Sequence, residues 1–142
     1  MPKFVSLEVV SQLPVFFPLL KELRPHLDLA SFTKLYAEAR STSGYQILGI
    51  EEHGELLALM GYRILTDFVH GRHLYIDDLI TAPHVRSRGL GAMLLQEAER
   101  IALDNGCQGL RLCTGIDNEA GKRFYEKNLW QLRAVAFKKK LS

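Results

Sequence analysis

Six residues, Arg86-Ser87-Arg88-Gly89-Leu90-Gly91, lie between a stretch that reads as a strand and one that reads as a helix. Glycine lets a backbone approach a ligand closely and adopt conformations that a side chain forbids. The first turn of the helix, Leu90, Gly91 and Ala92, offers unpaired N–H groups and the positive end of the helix dipole. Arg86 and Arg88 add donors suited to phosphate, and Ser87 sits between them. The chemistry implied is the holding of a pyrophosphate. Two other phosphate loops are excluded. No Gly-Lys-Ser/Thr ending is present, and the spacing Arg-x-x-Gly-x-Gly is not G-x-G-x-x-G after a first strand. The charge distribution agrees. Residues 1–70 carry 6 Lys/Arg against 8 Asp/Glu, whereas residues 71–142 carry 12 against 8.

A second group lies about thirty residues later. Asn118 is followed at fixed intervals by Phe124, Tyr125, Glu126 and Lys127, on what reads as a short helix after the next strand. Together the two segments resemble the GNAT superfamily of N-acetyltransferases. Its pyrophosphate loop cradles coenzyme A, and its later helix often reads Asn-x-x-Ala-x-x-Phe-Tyr-Glu-Lys-x-Gly-Phe. The resemblance is strong from Leu74 to Trp130 and weak before Gly44. Gly121 stands where Ala is usual, and Leu129-Trp130 where Gly-Phe is usual. Asn128 is therefore the residue expected to take the left-handed cap that glycine normally supplies.

The resemblance implies acetyl transfer from acetyl-CoA to a primary amine. Such an amine is mostly protonated at neutral pH, so a base helps. In the family a bulge in the strand before the loop frees backbone N–H groups for the thioester carbonyl. By position these belong to Leu79 and Ile80, while Thr81 and Asn118 would bond the pantetheine arm. The family's tyrosine, here Tyr125, would donate to the leaving thiolate, since a phenol stays protonated at pH 7. Asp77 is the expected base, directly or through a water, with Asp78 behind it. Alternation puts the two on opposite faces, so at most one is expected in the cleft. The plainer role for either is an ion pair or a solvated position.

The elements that must position these residues follow from periodicity. Phe4 to Val10 reads as a strand, and Ser11 to Leu23 and Leu29 to Arg40 as helices. Tyr45 to Glu52 and Glu55 to Leu65 form a hairpin about His53-Gly54. His73 to Thr81 is a strand, and the helix after the loop carries Leu90, Met93, Leu94, Ala98, Ile101 and Ala102 on one face. Asn105-Gly106 stops it. Cys107 to Thr114 is a strand, Asn118 to Lys127 a helix and Leu132 to Phe137 a last strand. The order β-α-α-β-β-β-α-β-α-β is a mixed α/β domain, a hairpin meander feeding a parallel βαβ unit, and residues 1–142 are read as one GNAT-like domain.

With 142 residues, 47% hydrophobic and 24% charged, the chain resembles an ordinary globular domain. Cys107 and Cys113 lack metal-ligand spacing and read as small buried hydrophobes. No metal is expected. His70 and His73 read as loop decoration, His84 as a neighbour of the cofactor or of nothing, and Lys138 to Lys140 as a solvated tail. No apolar leader or span of 18 apolar residues is seen, and the expectation is a cytoplasmic protein without membrane contact. The basic residues form no stripe, so nucleic acid is not expected. A homodimer is an expectation of the resemblance alone. Glu22, Asp28, Glu38, Glu51, Glu52 and Asp67 make the first half acidic, which suits a small cationic amine, a polyamine or a basic amino acid as acceptor and equally suits a solvated surface, with a protein N-terminus or lysine as the other acceptors the sequence leaves open. The competing reading is a non-catalytic acyl-CoA-binding sensor or interaction module.

Overall fold

The computed structural model describes residues 1–142. The chain divides into two compact parts, Met1–Arg111 and Leu112–Ser142. The first begins with β1 (Lys3–Leu7), a single 3-10 turn, and two helices, α1 (Leu13–Leu23) and α2 (Leu29–Ser43). Strands β2 (Gln46–Glu52), β3 (Glu55–Asp67) and β4 (Gly71–Thr81) follow, then α3 (Leu90–Asp104) and the short β5 (Gly109–Leu112). The strands form one mixed sheet in the order β1-β2-β3-β4-β5, and the first three pairings are antiparallel.

Local chemistry explains the boundaries. Asp28 caps α2 by accepting from Ser31 N–H at 2.8 Å, and Gly44 ends it at φ 65°. His53 and Gly54 both adopt positive φ, the requirement of a two-residue turn that matches strand twist. Leu57 to Tyr62 is buried without a break. Both faces of β3 are therefore covered, and α1, α2 and α3 all pack on it. Helix α1 contributes Leu13, Phe16, Leu19 and Leu20 to this core, and α3 contributes Leu90, Leu94, Leu95, Ala98 and Ala102.

Strand β4 carries one irregularity. Gly61 pairs with Asp78, but Tyr62 pairs with Ile76, so Asp77 is an extra residue with no opposite number on β3. Its carbonyl accepts instead from Arg24 Nη2 at 3.0 Å.

The second part holds α4 (Glu119–Lys127) and no other helix. The strand read at Leu132 to Phe137 is not formed; no regular element follows α4. Leu132, Val135 and Phe137 are exposed, so the alternating pattern there has no sheet face to bury. The cysteines also differ from expectation. Cys107 is half-buried and Cys113, just past the end of β5, is exposed. No helix is long and apolar enough to cross a membrane.

Candidate active site

The β4 bulge changes what alternation alone would give. An inserted residue resets the phase of a strand, so two consecutive side chains can share a side. Asp77 and Asp78 both line one cavity of about 440 Å³, bounded by α1, α2, β2, β3 and β4. The expectation that only one acid would reach the cleft is thus corrected.

Neither acid stands free. Arg63 grips Asp77 with two parallel bonds, Nε to Oδ2 and Nη2 to Oδ1, each 2.8 Å. Arg24 reaches Asp78 Oδ1 at 3.2 Å from Nε and 3.1 Å from Nη2. Tyr45 donates its hydroxyl to Asp78 Oδ2 at 2.6 Å. Burial pushes the Asp77 carboxyl above its ordinary value, although Arg63 pulls the other way. Burial and then the Asp78 charge push the Tyr45 phenol well above its ordinary value, so it stays protonated and donating. Arg24, Tyr45 and Arg63 are the pocket residues that sequence reading missed. None lies within a motif, and only the β3–β4 register brings Arg63 to Asp77.

Beyond the bulge, Leu79, Ile80 and Thr81 continue opposite Met60, Leu59 and Ala58. The chain then passes through a 3-10 turn, Pro83–Val85, into the loop. His84 pairs with Glu55 at 2.7 Å on the surface. Arg86, Ser87, Arg88 and Gly89 are exposed. Ser87 adopts φ 77° and Gly89 φ 78°, and Gly89 caps α3 with no side-chain hydrogen bond. The first-turn amides of Leu90, Gly91 and Ala92 therefore have no side chain closing them off, and the space over Gly89 is open. Arg88 is tied to Glu52 at 3.0 Å, whereas Arg86 points to solvent. This loop fits a diphosphate: open amides at a helix start, a close-approach glycine and an uncommitted guanidinium.

In the second part, Asn118 caps α4. Its Oδ1 accepts from Gly121 N–H at 3.0 Å and its Nδ2 donates to Thr114 Oγ1 at 2.8 Å. A Cβ on residue 121 would overlap the Asn118 amide, which explains glycine there. The left-handed exit falls to Leu129, at φ 71°, and not to Asn128, at φ −92°. Asn128 instead donates through Nδ2 to the Phe124 carbonyl at 2.8 Å, which holds it in the helical half of the turn. Tyr125 packs edge-on against Phe124 and Trp130, and burial pushes its phenol up.

The histidines at the β3–β4 turn gather with Asp67, their donor atoms within 4.8 Å of one another. His73 is buried, its Nδ1 lies 2.9 Å from the Gly71 carbonyl, and Arg111 donates toward its Nε2 at 3.3 Å. A metal would need that same lone pair.

Comparison with known proteins agrees with this geometry. The Acetyltransferase (GNAT) family model matches residues 12–129. The uncharacterized N-acetyltransferase YhdJ of Bacillus subtilis (strain 168) is 29% identical over 124 residues, covering 87% of each chain. Thialysine N-epsilon-acetyltransferase of Bos taurus is 26% identical over 122 residues, 76% of this chain and 72% of that protein. The aminoglycoside N-acetyltransferase AAC(6')-Iy, solved with CoA, superposes with a TM-score of 0.85 at 16% identity, over 99% of this chain and 96% of that one. The chain belongs to the acetyltransferase (GNAT) family and is an N-acetyltransferase enzyme of that class.

Proposed function

We propose that this protein moves the acetyl group of acetyl-CoA to a small primary amine held in the cavity over β4. The observation that carries the reading is the bulge at Asp77, which turns two adjacent acids into one cavity. Bound acetyl-CoA supplies an acyl group activated as a thioester. Arg86, Ser87, Arg88 and the first-turn amides of Leu90, Gly91 and Ala92, with Gly89 as the close-approach point, hold its diphosphate. Thr81 and Asn118 hold the pantetheine arm, and the acetyl carbonyl meets whichever N–H of Leu79 and Ile80 faces away from β3, since consecutive amides of a paired strand point to opposite edges.

Asp77 takes the ammonium proton. Each of its oxygens keeps a second lone pair beyond the Arg63 bonds, so the grip orients the acid without using it up. A carboxyl held above its ordinary value is also a stronger base than a solvated one. Asp78, fixed by Arg24 and Tyr45, is the lesser candidate. Tyr125 gives a proton to the departing thiolate, and a raised phenol keeps that proton at working pH.

The pairing of both acids with arginine is what favours the second reading, a domain that binds acyl-CoA without turnover. Calorimetric titration with acetyl-CoA, followed by an amine screen for released thiol, separates the two. Binding with thiol release supports the enzyme. Binding with no release from any amine supports the binder, and no binding removes both.

A further inference from the structure

Resting on the proposed acetyl transfer, we infer that the acceptor is a monoamine with an apolar body, not a polyamine, and that Tyr36 reads a polar substituent on that body.

A polycation needs several carboxylates that are free to meet its charges. The cavity offers two, Asp77 and Asp78, and each already faces an arginine that lines the same cavity. The formal charge of Arg24, Arg63, Asp77 and Asp78 together is zero. The other acids of the first half do not enter. Asp28 caps a helix, Glu51 pairs with Lys3 at 3.2 Å, Glu52 with Arg88, and Asp67 with His70. Glu22 and Glu38 are absent from the cavity wall. The acidity of the first half therefore lies outside the cavity.

The remaining wall is mostly apolar. Leu13, Leu20, Leu27, Phe32 and Leu35 from α1, α2 and their connection line it. Such a wall stabilises an apolar body through burial and offers a second ammonium no carboxylate against its desolvation. Besides Tyr45, the polar residues on it are His26, Ser43, whose hydroxyl donates to the Ala39 carbonyl at 3.0 Å, and Tyr36. The Tyr36 side chain is 5% exposed, lines the cavity, and its hydroxyl has no hydrogen-bond partner in the protein. A hydroxyl that has lost water and gained no partner carries a cost that a ligand group can relieve. The Tyr36 ring lies edge-on to Tyr45, 6.2 Å between centroids, and Tyr45 holds Asp78. Tyr36 and Tyr45 are thus ring neighbours on one cavity wall, and Tyr45 joins that wall to the acid end.

The test uses the full chain, acetyl-CoA and three acceptors: spermidine, phenethylamine and tyramine. The last two differ by one hydroxyl. Thiol release should give a kcat/KM for phenethylamine at least roughly tenfold above spermidine. Tyramine should exceed phenethylamine by about fivefold, the scale of one net hydrogen bond. In Tyr36→Phe the tyramine-to-phenethylamine ratio should fall to about one. The same variant should melt no lower than the wild type, since it deletes an unpartnered group. Preference for spermidine overturns the acceptor class and leaves acetyl transfer intact. A tyramine preference that survives in Tyr36→Phe overturns the role of Tyr36. Thiol release from none of the three while acetyl-CoA binds, extended to the wider amine screen, overturns the underlying reading and this inference with it.

Discussion

Arg63 and Asp77 face each other across the β3–β4 ladder at the one point where that ladder slips. Their two 2.8 Å bonds are made possible by the slip, because Asp77 is the residue left without a strand partner. A planar guanidinium that meets a carboxylate edge-on fixes the orientation of both, and lysine does not reproduce this. The pair therefore sets where the base points as well as how readily it takes a proton.

Asp77→Asn should lower kcat by about 10²- to 10⁴-fold, the range of a lost general base, with acetyl-CoA affinity unchanged by calorimetry. The pH profile gives an independent check. Activity should rise with pH as the Asp77 carboxyl ionises, on an acid limb above the ordinary carboxylate range. Arg63→Gln removes a positive charge that favours the ionised form. The Asp77 carboxyl should then rise further and the acid limb should move to higher pH. A limb that moves down, or stays, would exclude Asp77 as the base.

Tyr125→Phe should reduce turnover by roughly 10²-fold while acetyl-CoA affinity stays close to wild type. Equal loss of both in steady-state kinetics and calorimetry would mark the tyrosine as structural, held for its packing on Phe124 and Trp130.

Gly89→Glu should abolish acetyl-CoA binding in the same calorimetric experiment. The residue would have to hold φ 78° with a side chain and would place a carboxylate where a diphosphate must sit. Because the space over Gly89 is open, the fold itself should survive, as circular dichroism can check.

Leu129→Gly should stabilise the chain by about 1 kcal/mol in urea unfolding. A left-handed conformation costs a leucine on the order of 1–2 kcal/mol, and this side chain is exposed, so no burial is lost.

Gly61→Ala should do the opposite. A Cβ there would overlap the Tyr45 hydroxyl and come within 2.8 Å of Asp78 Oδ2. Thermal unfolding should report a loss of about 1–3 kcal/mol, the range of an overpacked site. Amine KM should rise as Asp78 and Tyr45 are displaced.

The fold was legible wherever a segment carried a strong period. The apolar stripe of α3, the His53-Gly54 turn and the run from His73 to Thr81 announce themselves through side-chain spacing alone. The open turn before α3 was legible because its chemistry is local: two glycines and two arginines within six residues. The acid pair was legible in type but not in direction. A bulge is a property of two strands at once, and the sequence of β4 by itself contains no sign of it. The partners of the acids were hidden for the same reason: Arg24 and Arg63 lie 54 and 14 residues from theirs. At the exit of α4 the usual preference of asparagine for left-handed geometry loses to the Asn128 bond with the Phe124 carbonyl. The strand expected at Leu132 to Phe137 fails because β-propensity without a hydrogen-bonding neighbour does not make a strand.

The slip at Asp77 also divides β4 into two stretches of opposite parity. Leu74 and Ile76 are buried on either side of the half-buried Tyr75; past the slip that alternation no longer holds, and Asp78 joins Asp77 at the cavity. Removing one residue at this point would restore a uniform strand, and a uniform strand can turn only one of two neighbouring acids toward a ligand. The spacing of acidic residues in related chains is therefore meaningful only when read together with the count of residues on β3 and β4. A single-residue deletion in β4 could erase the site while leaving every residue type that marks it in place.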